Sequence, residues 1–527
     1  MQTQSSVTLS ILVTSDIHGY IYPTDYRNTE ERNWGLAKIA TLIKQQRQRC
    51  TDVLLIDNGD VIQGSPLTYH STKFNSERIH PSIAALNELR YDAAVFGNHE
   101  FNYGRQLLDQ AVRDSDFPWV SANIVDSDTS APAFGKPYVI KIIQNEIKVA
   151  VLGATTHFIP NWERPEHIEG LHFSDALNTV KQWVELIRRE ERPDVLIVAY
   201  HGGFERDLAS GLATEAATGE NQGYAMCTTM EGIDVLITGH QHRLIAGELN
   251  GVTCVQPGSN GQALGKISVE LTKNESGWVI QRKRAELIVP DEHTEADRDL
   301  LALINDMERE TQDWLDQPLG LTEGDMTIAD PFEVRTGDHP FIEFINIVQM
   351  KSASVDISCT ALLSNESKGF AERITMRDIL SNYMYPNTLT VLRLSGRDIK
   401  DALEKTADYF KLKADGSLGI NPDYIRPKPQ HYNYDMWEGI EYRLNISNPA
   451  GERVVKLFYK GHAIDLDAQY DVVMNNYRAA GGGDYFMFQG KPVVKEIQID
   501  MVELLANYVL EERVIISTCN HNWSVIY

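Results

Sequence analysis

The sequence predicts an α/β domain over residues 1–293, a linker helix over 294–317 and a mixed α+β domain over 318–527. Three observations lead there. The chain has 527 residues, whereas single cores stop growing near about 250 to 300 residues, so two large domains are expected. The first half repeats one pattern, a short apolar run followed by polar or glycine residues and then a helical stretch, as strands alternating with helices do. After Gln317-Pro318 the pattern changes to short strands, Gly and Pro turns and frequent tyrosines.

In chain order, the predicted strands of the first domain are Thr8–Val13, Val53–Ile56, Ala93–Phe96, Val149–Leu152, Val195–Ala199, Val235–Ile237 and Ile267–Leu271. Leu36, Ile39, Ala40 and Ile43 recur at helical spacing between the first two, and Pro81 suits the first turn of another helix. From Thr294 to Trp314 the residues Leu300, Leu303, Ile304, Met307 and Trp314 share one helical face, with Thr294 and Asp297 resembling a capping box. No internal repeat or low-complexity segment is evident.

Composition narrows the function classes. Hydrophobic residues at 42% and charged residues at 23% describe a globular chain. A formal net charge of -25 argues against a polymeric nucleic-acid partner, which needs clustered Lys and Arg. No apolar run reaches about 18 residues, so no membrane partner is expected. The N-terminus lacks a basic n-region and a cleavage site. The five cysteines, Cys50, Cys227, Cys254, Cys359 and Cys519, are scattered and never form C-x-x-C, which points to reduced thiols and a cytoplasmic location. Composition leaves the oligomeric state open.

The chemistry-bearing residues have a common address. Asp16 and His18 follow the first strand, Asp60 the second, Asn98 and His99 the third, His201 the Val195 strand, and His240 and His242 the Val235 strand. In an open α/β sheet the carboxyl edge is where ligands bind. A single histidine there is ordinarily a hydrogen-bonded loop residue; five strand ends bearing such groups are not an ordinary coincidence. Imidazole nitrogen with carboxylate oxygen, and no cysteine, suits catalytic Mn, Zn, Fe, Co or Ni rather than a structural thiolate zinc site. Two divalent cations would also draw an anionic substrate to an acidic protein.

The segments SDIHG at 15–19, NGD at 58–60, GNHEF at 97–101, YHGG at 200–203 and GHQH at 239–242 resemble, in order and spacing, the five motifs of the calcineurin-like metallophosphoesterases. The resemblance implies a four-layer αββα sandwich. It implies one metal on Asp16, His18, Asp60 and His242 and another on Asp60, Asn98, His201 and His240, with Asp60 bridging. It gives His99 the role of a non-ligand histidine that stabilises the transition state or protonates the leaving oxygen. Asp57 reads as structural, or as a partner behind the ligands. Some relatives carry an aspartate three residues after this histidine, where Asn102 stands here; a weaker orienting partner would leave His99 less basic.

YPNTL at 385–389 and NNYRAAGGGD at 475–484 resemble the C-terminal domain of the 5′-nucleotidase and 2′,3′-cyclic-nucleotide phosphodiesterase family. The resemblance implies a mixed α/β nucleotide-binding domain in which Tyr385 and Tyr477 sandwich the base. Asp484 can accept a ribose hydroxyl, and Asn387 and Asn475 are polar groups that could reach the base. Many 5′-nucleotidases carry an Asn-Gly-Gly and Arg segment for the phosphate, but VDISCTALLSN at 355–365 has neither glycine nor arginine. The sequence therefore ranks a 2′,3′-cyclic-nucleotide 2′-phosphodiesterase with 3′-nucleotidase activity first, and a 5′-nucleotidase or nucleotide-sugar hydrolase second. A non-catalytic nucleotide-binding module has no need of His99, and a nuclease acting on polymers lacks a basic groove.

Overall fold

The computed structural model describes residues 6–527 except 29, 145, 162, 216–217, 276, 386, 427 and 498; Pro386 of the YPNTL segment and the first five residues thus lie outside the described residues. The chain divides into two compact units, 1–311 and 312–527.

The first unit is a sandwich of two six-stranded sheets. One runs Gly277–Ile288, Leu264–Asn274, Ser6–Thr14, Val53–Asp57, Ala93–Val95 and Trp119–Val120; the other runs Leu244–Leu249, Val252–Pro257, Val235–Ile237, Val195–His201, Ile147–Thr155 and Tyr138–Ile143. Side chains alternate across a strand, so Leu9, Ile11 and Val13 meet Val149, Val151, Val195 and Ile197 in a core between the sheets. The opposite face of the second sheet, with Leu196, Val198 and Leu236, packs on Val180, Val184 and Ile187 of the helix Ala176–Glu190. On the far side Leu36–Arg49 buries Leu36, Ile39, Ala40 and Ile43. The order of layers is αββα.

Register fixes where the sheets end. Ser6–Thr14 pairs in parallel with Val53–Asp57, Thr14 opposite Asp57, and Asp57 is opposite Ala94 of the next parallel strand. In the second sheet Thr155 lies opposite His201, and Val195–His201 runs parallel to Val235–Ile237. These strands are buried on both faces, which is why they read as continuous apolar runs. The carboxyl edges of the two sheets are tied together where His201 Nδ1 meets the carbonyl of Asn58 at 2.6 Å and Asn58 Nδ2 donates to the carbonyl of Tyr200 at 3.2 Å.

The helix Arg298–Leu315 starts later than the periodicity predicts. Asp297 Oδ1 accepts the Leu300 N–H, so Asp297 is the cap, while Thr294 Oγ1 donates to Asp291 and closes a turn before it. The helix lies on the first unit, its Leu301 carbonyl taking the Tyr22 hydroxyl and Glu308 taking the Tyr26 hydroxyl.

In the second unit a five-stranded sheet runs Asp435–Glu438, Ile357–Ala361, Gln469–Asn475, Leu389–Ser395 and Val493–Ile497. Helices Pro340–Ala353 and Gly396–Ala407 pack on it. The unit also contains a four-stranded sheet of His462–Ala463, Val454–Tyr459, Glu441–Asn445 and Trp523–Ile526 and a three-stranded sheet of Arg373–Thr375, Pro318–Glu323 and Val514–Ile516.

Candidate metal centre

Asp16, His18, Asp60, His240 and His242 all have positive φ, between 51° and 66°. A non-glycine residue in the left-handed region costs on the order of 1–3 kcal/mol and persists only where its surroundings over-determine it. Here backbone bonds do so: Asp16 N–H donates to the Gly59 carbonyl at 2.9 Å, His18 N–H to the Asp60 carbonyl at 2.8 Å, and His240 N–H to the Asp16 carboxylate at 3.0 Å. Glu100, fully buried, accepts the N–H groups of Asp60, Val61 and Gly97 at 2.8, 2.7 and 2.6 Å. Its carboxylate is the scaffold of the Asp60 turn. Gly97 must be glycine because a Cβ there would run into the Asp60 carboxylate and the His201 ring.

The strand ends bring the candidate ligands into two groups: Asp16, His18 and His242, and Asp60, His201 and His240, with the ligand atoms of each group all within 4.8 Å of one another. Asp60 faces both, its Oδ2 lying 3.1 Å from His201 Nε2 and 4.0 Å from His18 Nε2, while its Oδ1 accepts the His99 N–H at 2.7 Å.

The hydrogen-bond partners fix which ring nitrogens are lone pairs. His18 Nδ1 donates to the Gln63 carbonyl at 3.0 Å, His201 Nδ1 to Asn58, and His240 Nε2 to the Glu220 carboxylate at 2.7 Å, because those oxygens only accept. On His18 and His201 the opposite nitrogen, Nε2, is then the lone pair of the neutral ring. His18 Nε2 faces His242 Nε2 at 3.1 Å, the buried His201 Nε2 lies 3.1 Å from Asp60 Oδ2, and His240 has an oxygen on each side, Glu220 at Nε2 and Asn98 Oδ1 at 2.8 Å from Nδ1. Lone pairs converging from buried imidazoles whose other nitrogen is anchored are the arrangement of a metal site. The residues fit two divalent ions of the borderline class.

Charge agrees with geometry. Burial pushes the Asp60 carboxyl up, but the imidazoles of His201, His99 and His18 outweigh it and hold it well below the usual range. Burial opposes charge on His201, yet the Asp60, Asp16 and Glu100 carboxylates push it up to about 10, a measure of the negative field at that point. Asp57, one turn behind, is pushed up to about 8 by burial; it accepts the Thr14 hydroxyl at 2.7 Å and the Gly59 N–H at 2.9 Å, a structural post under the turn.

His99 stands beside the ligands, its ring 5.2 Å from that of His18. Its Nδ1 meets Asn102 Oδ1 at 2.6 Å, and Asn102 Nδ2 donates to Glu163 Oε2 at 2.7 Å. Glu163, 6% exposed at its side chain, takes His167 Nδ1 and the Arg164 N–H on its other oxygen, each at 2.8 Å. The carboxylate missing from position 102 is therefore present one residue further out. Glu100, Glu163 and Glu220 were not found from sequence: Glu100 was visible only as part of a motif, and the other two lie in loops with no motif.

In the second unit Leu389 pairs with Asn475, so the loop before one strand and the turn after the other share one edge. They are joined by the Asn476 N–H on the Thr388 carbonyl at 2.9 Å. Tyr385 and Tyr477 sit half-buried in these two segments, and the Tyr385 ring lies 6.4 Å from Tyr432. Arg478, 2% exposed, holds the turn: it pairs with Asp435 at 2.7 Å, donates to the Gly482 carbonyl and lies over the Tyr485 ring at 4.0 Å. Asp484 is exposed and takes Lys405 Nζ at 3.2 Å. Asn387 is tied through its backbone to Tyr385 and Met501. Asn475 Oδ1 accepts the Arg478 N–H at 2.8 Å and so caps the helix Asn476–Ala479.

Comparison with known proteins agrees with this geometry. The calcineurin-like phosphoesterase model matches residues 9–244, and the 5′-nucleotidase C-terminal domain model matches 319–490. A Staphylococcus aureus protein assigned as a 5′-nucleotidase, solved with alpha-ketoglutarate, is 37% identical, covers 99% of this chain and 100% of its own, and superposes with a TM-score of 0.90. The trifunctional nucleotide phosphoesterase protein YfkN of Bacillus subtilis is 29% identical over 98% of this chain, which spans 39% of that protein's length. A 2′,3′-cyclic-nucleotide 2′-phosphodiesterase/3′-nucleotidase of Salmonella typhimurium is 29% identical over 91% of this chain and 82% of its own. With both domain types in order and a full-length relative above 30% identity, the chain belongs to the 5′-nucleotidase family of metal-dependent phosphoester hydrolases.

Proposed function

We propose that this hydrolase cleaves phosphate esters of small nucleotides, acting on 2′,3′-cyclic nucleotides and 3′-nucleotides in preference to 5′-nucleotides. The observation that carries the reading is the pair of lone-pair clusters on either side of Asp60 with His99 beside them. In this proposal Asp16, His18, Asp60 and His242 hold one ion and Asp60, Asn98, His201 and His240 the other, with Mn or Zn the fitting class. When bound, such ions supply Lewis-acid charge to the phosphoryl oxygens and acidify water. His99, anchored through Nδ1, presents Nε2 to the site to stabilise the developing charge and to hold a proton for the leaving oxygen.

Tyr385 and Tyr477 stack the base, which suits breadth because every base has a π-face, and Asp484 accepts a ribose hydroxyl. The strand Ile357–Ala361 and its flanks carry no arginine or glycine over 355–365, favouring the cyclic-nucleotide branch, as does the similarity to the Salmonella enzyme. The five free cysteines support a reducing compartment. Among the described residues no helix is long and apolar enough to cross a membrane.

Initial rates on 2′,3′-cyclic AMP, 3′-AMP, 5′-AMP, ADP and a nucleotide sugar, each with Mn or Zn, test the reading. The expected order puts the first two ahead. A 5′-AMP rate above both reverses the branch, and the absence of turnover with any of them removes the function.

A further inference from the structure

Away from the catalytic residues, the second unit gathers five groups of ligand type. Asp338, Glu343 and Glu438 place one carboxylate oxygen each within 4.8 Å of one another, and Asp338, Cys519 and His521 do the same with their ligand atoms, Asp338 being common to both sets. Glu343 and Glu438 are 4% and 3% exposed. Like charges this close in a poorly solvated place repel strongly, and among the described residues no Lys or Arg is paired with any of the three.

The hydrogen bonds account for only part of the oxygens. Glu343 accepts the Thr518 hydroxyl and the Asn520 N–H, the latter at 2.7 Å. Glu438 Oε2 accepts the side-chain amides of Asn520 and Asn522, both at 2.9 Å, and Asp338 Oδ2 accepts the His521 N–H at 2.8 Å. Glu438 Oε1 and Asp338 Oδ1 are buried with no partner. A buried carboxylate oxygen without a donor carries a desolvation cost that a cation would remove. Cys519 Sγ and His521 Nδ1 stand 3.4 Å apart at the mouth of the same cluster.

We propose that Asp338, Cys519 and His521, backed by the Glu438 carboxylate, form a cation site separate from the dimetal centre, taking one thiophilic divalent ion of the zinc class. Thiolate, imidazole and carboxylate together are zinc ligands, and the sulfur disfavours magnesium or calcium. Coordination requires the thiolate, so binding releases the thiol proton to solvent. The ion would staple the segment 517–522, between strands Val514–Ile516 and Trp523–Ile526, to Asp338, two residues ahead of the helix Pro340–Ala353, and to the end of strand Asp435–Glu438.

Cobalt tests this in the full chain, because no candidate catalytic ligand is a cysteine. Titration with Co(II) should produce a near-ultraviolet thiolate-to-cobalt charge-transfer band that saturates with one ion, is abolished in Cys519→Ser and is competed by Zn. The exposed His521→Gln, chosen because its folding is not in question, should weaken that band's apparent affinity by about 10-fold or more. Nucleotide hydrolysis by the Cys519→Ser protein should match the parent. Absence of the band in the parent protein, or its persistence in Cys519→Ser, would overturn the site and leave the carboxylates sharing a proton instead.

Discussion

Asn102 stands between His99 and Glu163, and its orientation follows from what a carboxylate can do. Glu163 only accepts, so the amide gives it Nδ2–H and turns Oδ1 to His99, which must then carry its proton on Nδ1. Exchanging the two residues preserves that order: an aspartate at 102 accepts from His99, and a glutamine at 163 donates to it while its oxygen still takes His167 and the Arg164 N–H. Asn102→Asp alone sets two carboxylates against each other, and Glu163→Gln alone lets the amide turn over. Each single variant should lower kcat by about 10- to 100-fold, the scale for a partner behind a catalytic group, with KM and metal content little changed. The double variant should recover most of the loss. Steady-state kinetics on all four proteins check this; a double variant no better than its parents makes Glu163 merely structural. Asn102 was legible as a departure from the family pattern, but Glu163 was not, because it is 61 residues away and becomes a partner only through tertiary proximity.

At the scale of elements, the site was legible because it sits on strand ends. Buried parallel strands are continuous apolar runs, so Val235–Ile237 could be read to the residue. Ile147–Thr155 extends beyond its apolar stretch because pairing with Val195–His201 continues to Thr155 opposite His201. Sequence periodicity does not report such pairing. Likewise Asn475 reads as a free polar group until the helix Asn476–Ala479 claims it as a cap. The turn that follows presents Tyr477 while Arg478 is anchored by Asp435. Tyr477→Ala should therefore leave the fold intact and weaken nucleotide binding by about 1 to 3 kcal/mol. Hydrolysis of a small aryl phosphate, which offers no base to stack, should be nearly unchanged. Equal losses on both substrates, measured as KM and kcat, would mean that the turn itself has been disturbed.

For the whole molecule, a net charge of -25 and an anionic substrate are compatible only if positive charge is concentrated where the ester binds. The first unit provides for it with buried carboxylates and lone pairs, held at five positions by left-handed backbone. The second unit provides aromatic and polar groups around a turn fastened by a buried arginine. The account rests on Asp60 standing between two divalent ions. Anomalous diffraction at the manganese edge from Mn-loaded crystals measures that directly. Two peaks are expected about 3.5 to 4 Å apart, one against Asp16, His18 and His242 and one against Asn98, His201 and His240, with both lost in Asp60→Ala. A single peak in the parent protein, or two peaks that survive in Asp60→Ala, would contradict it.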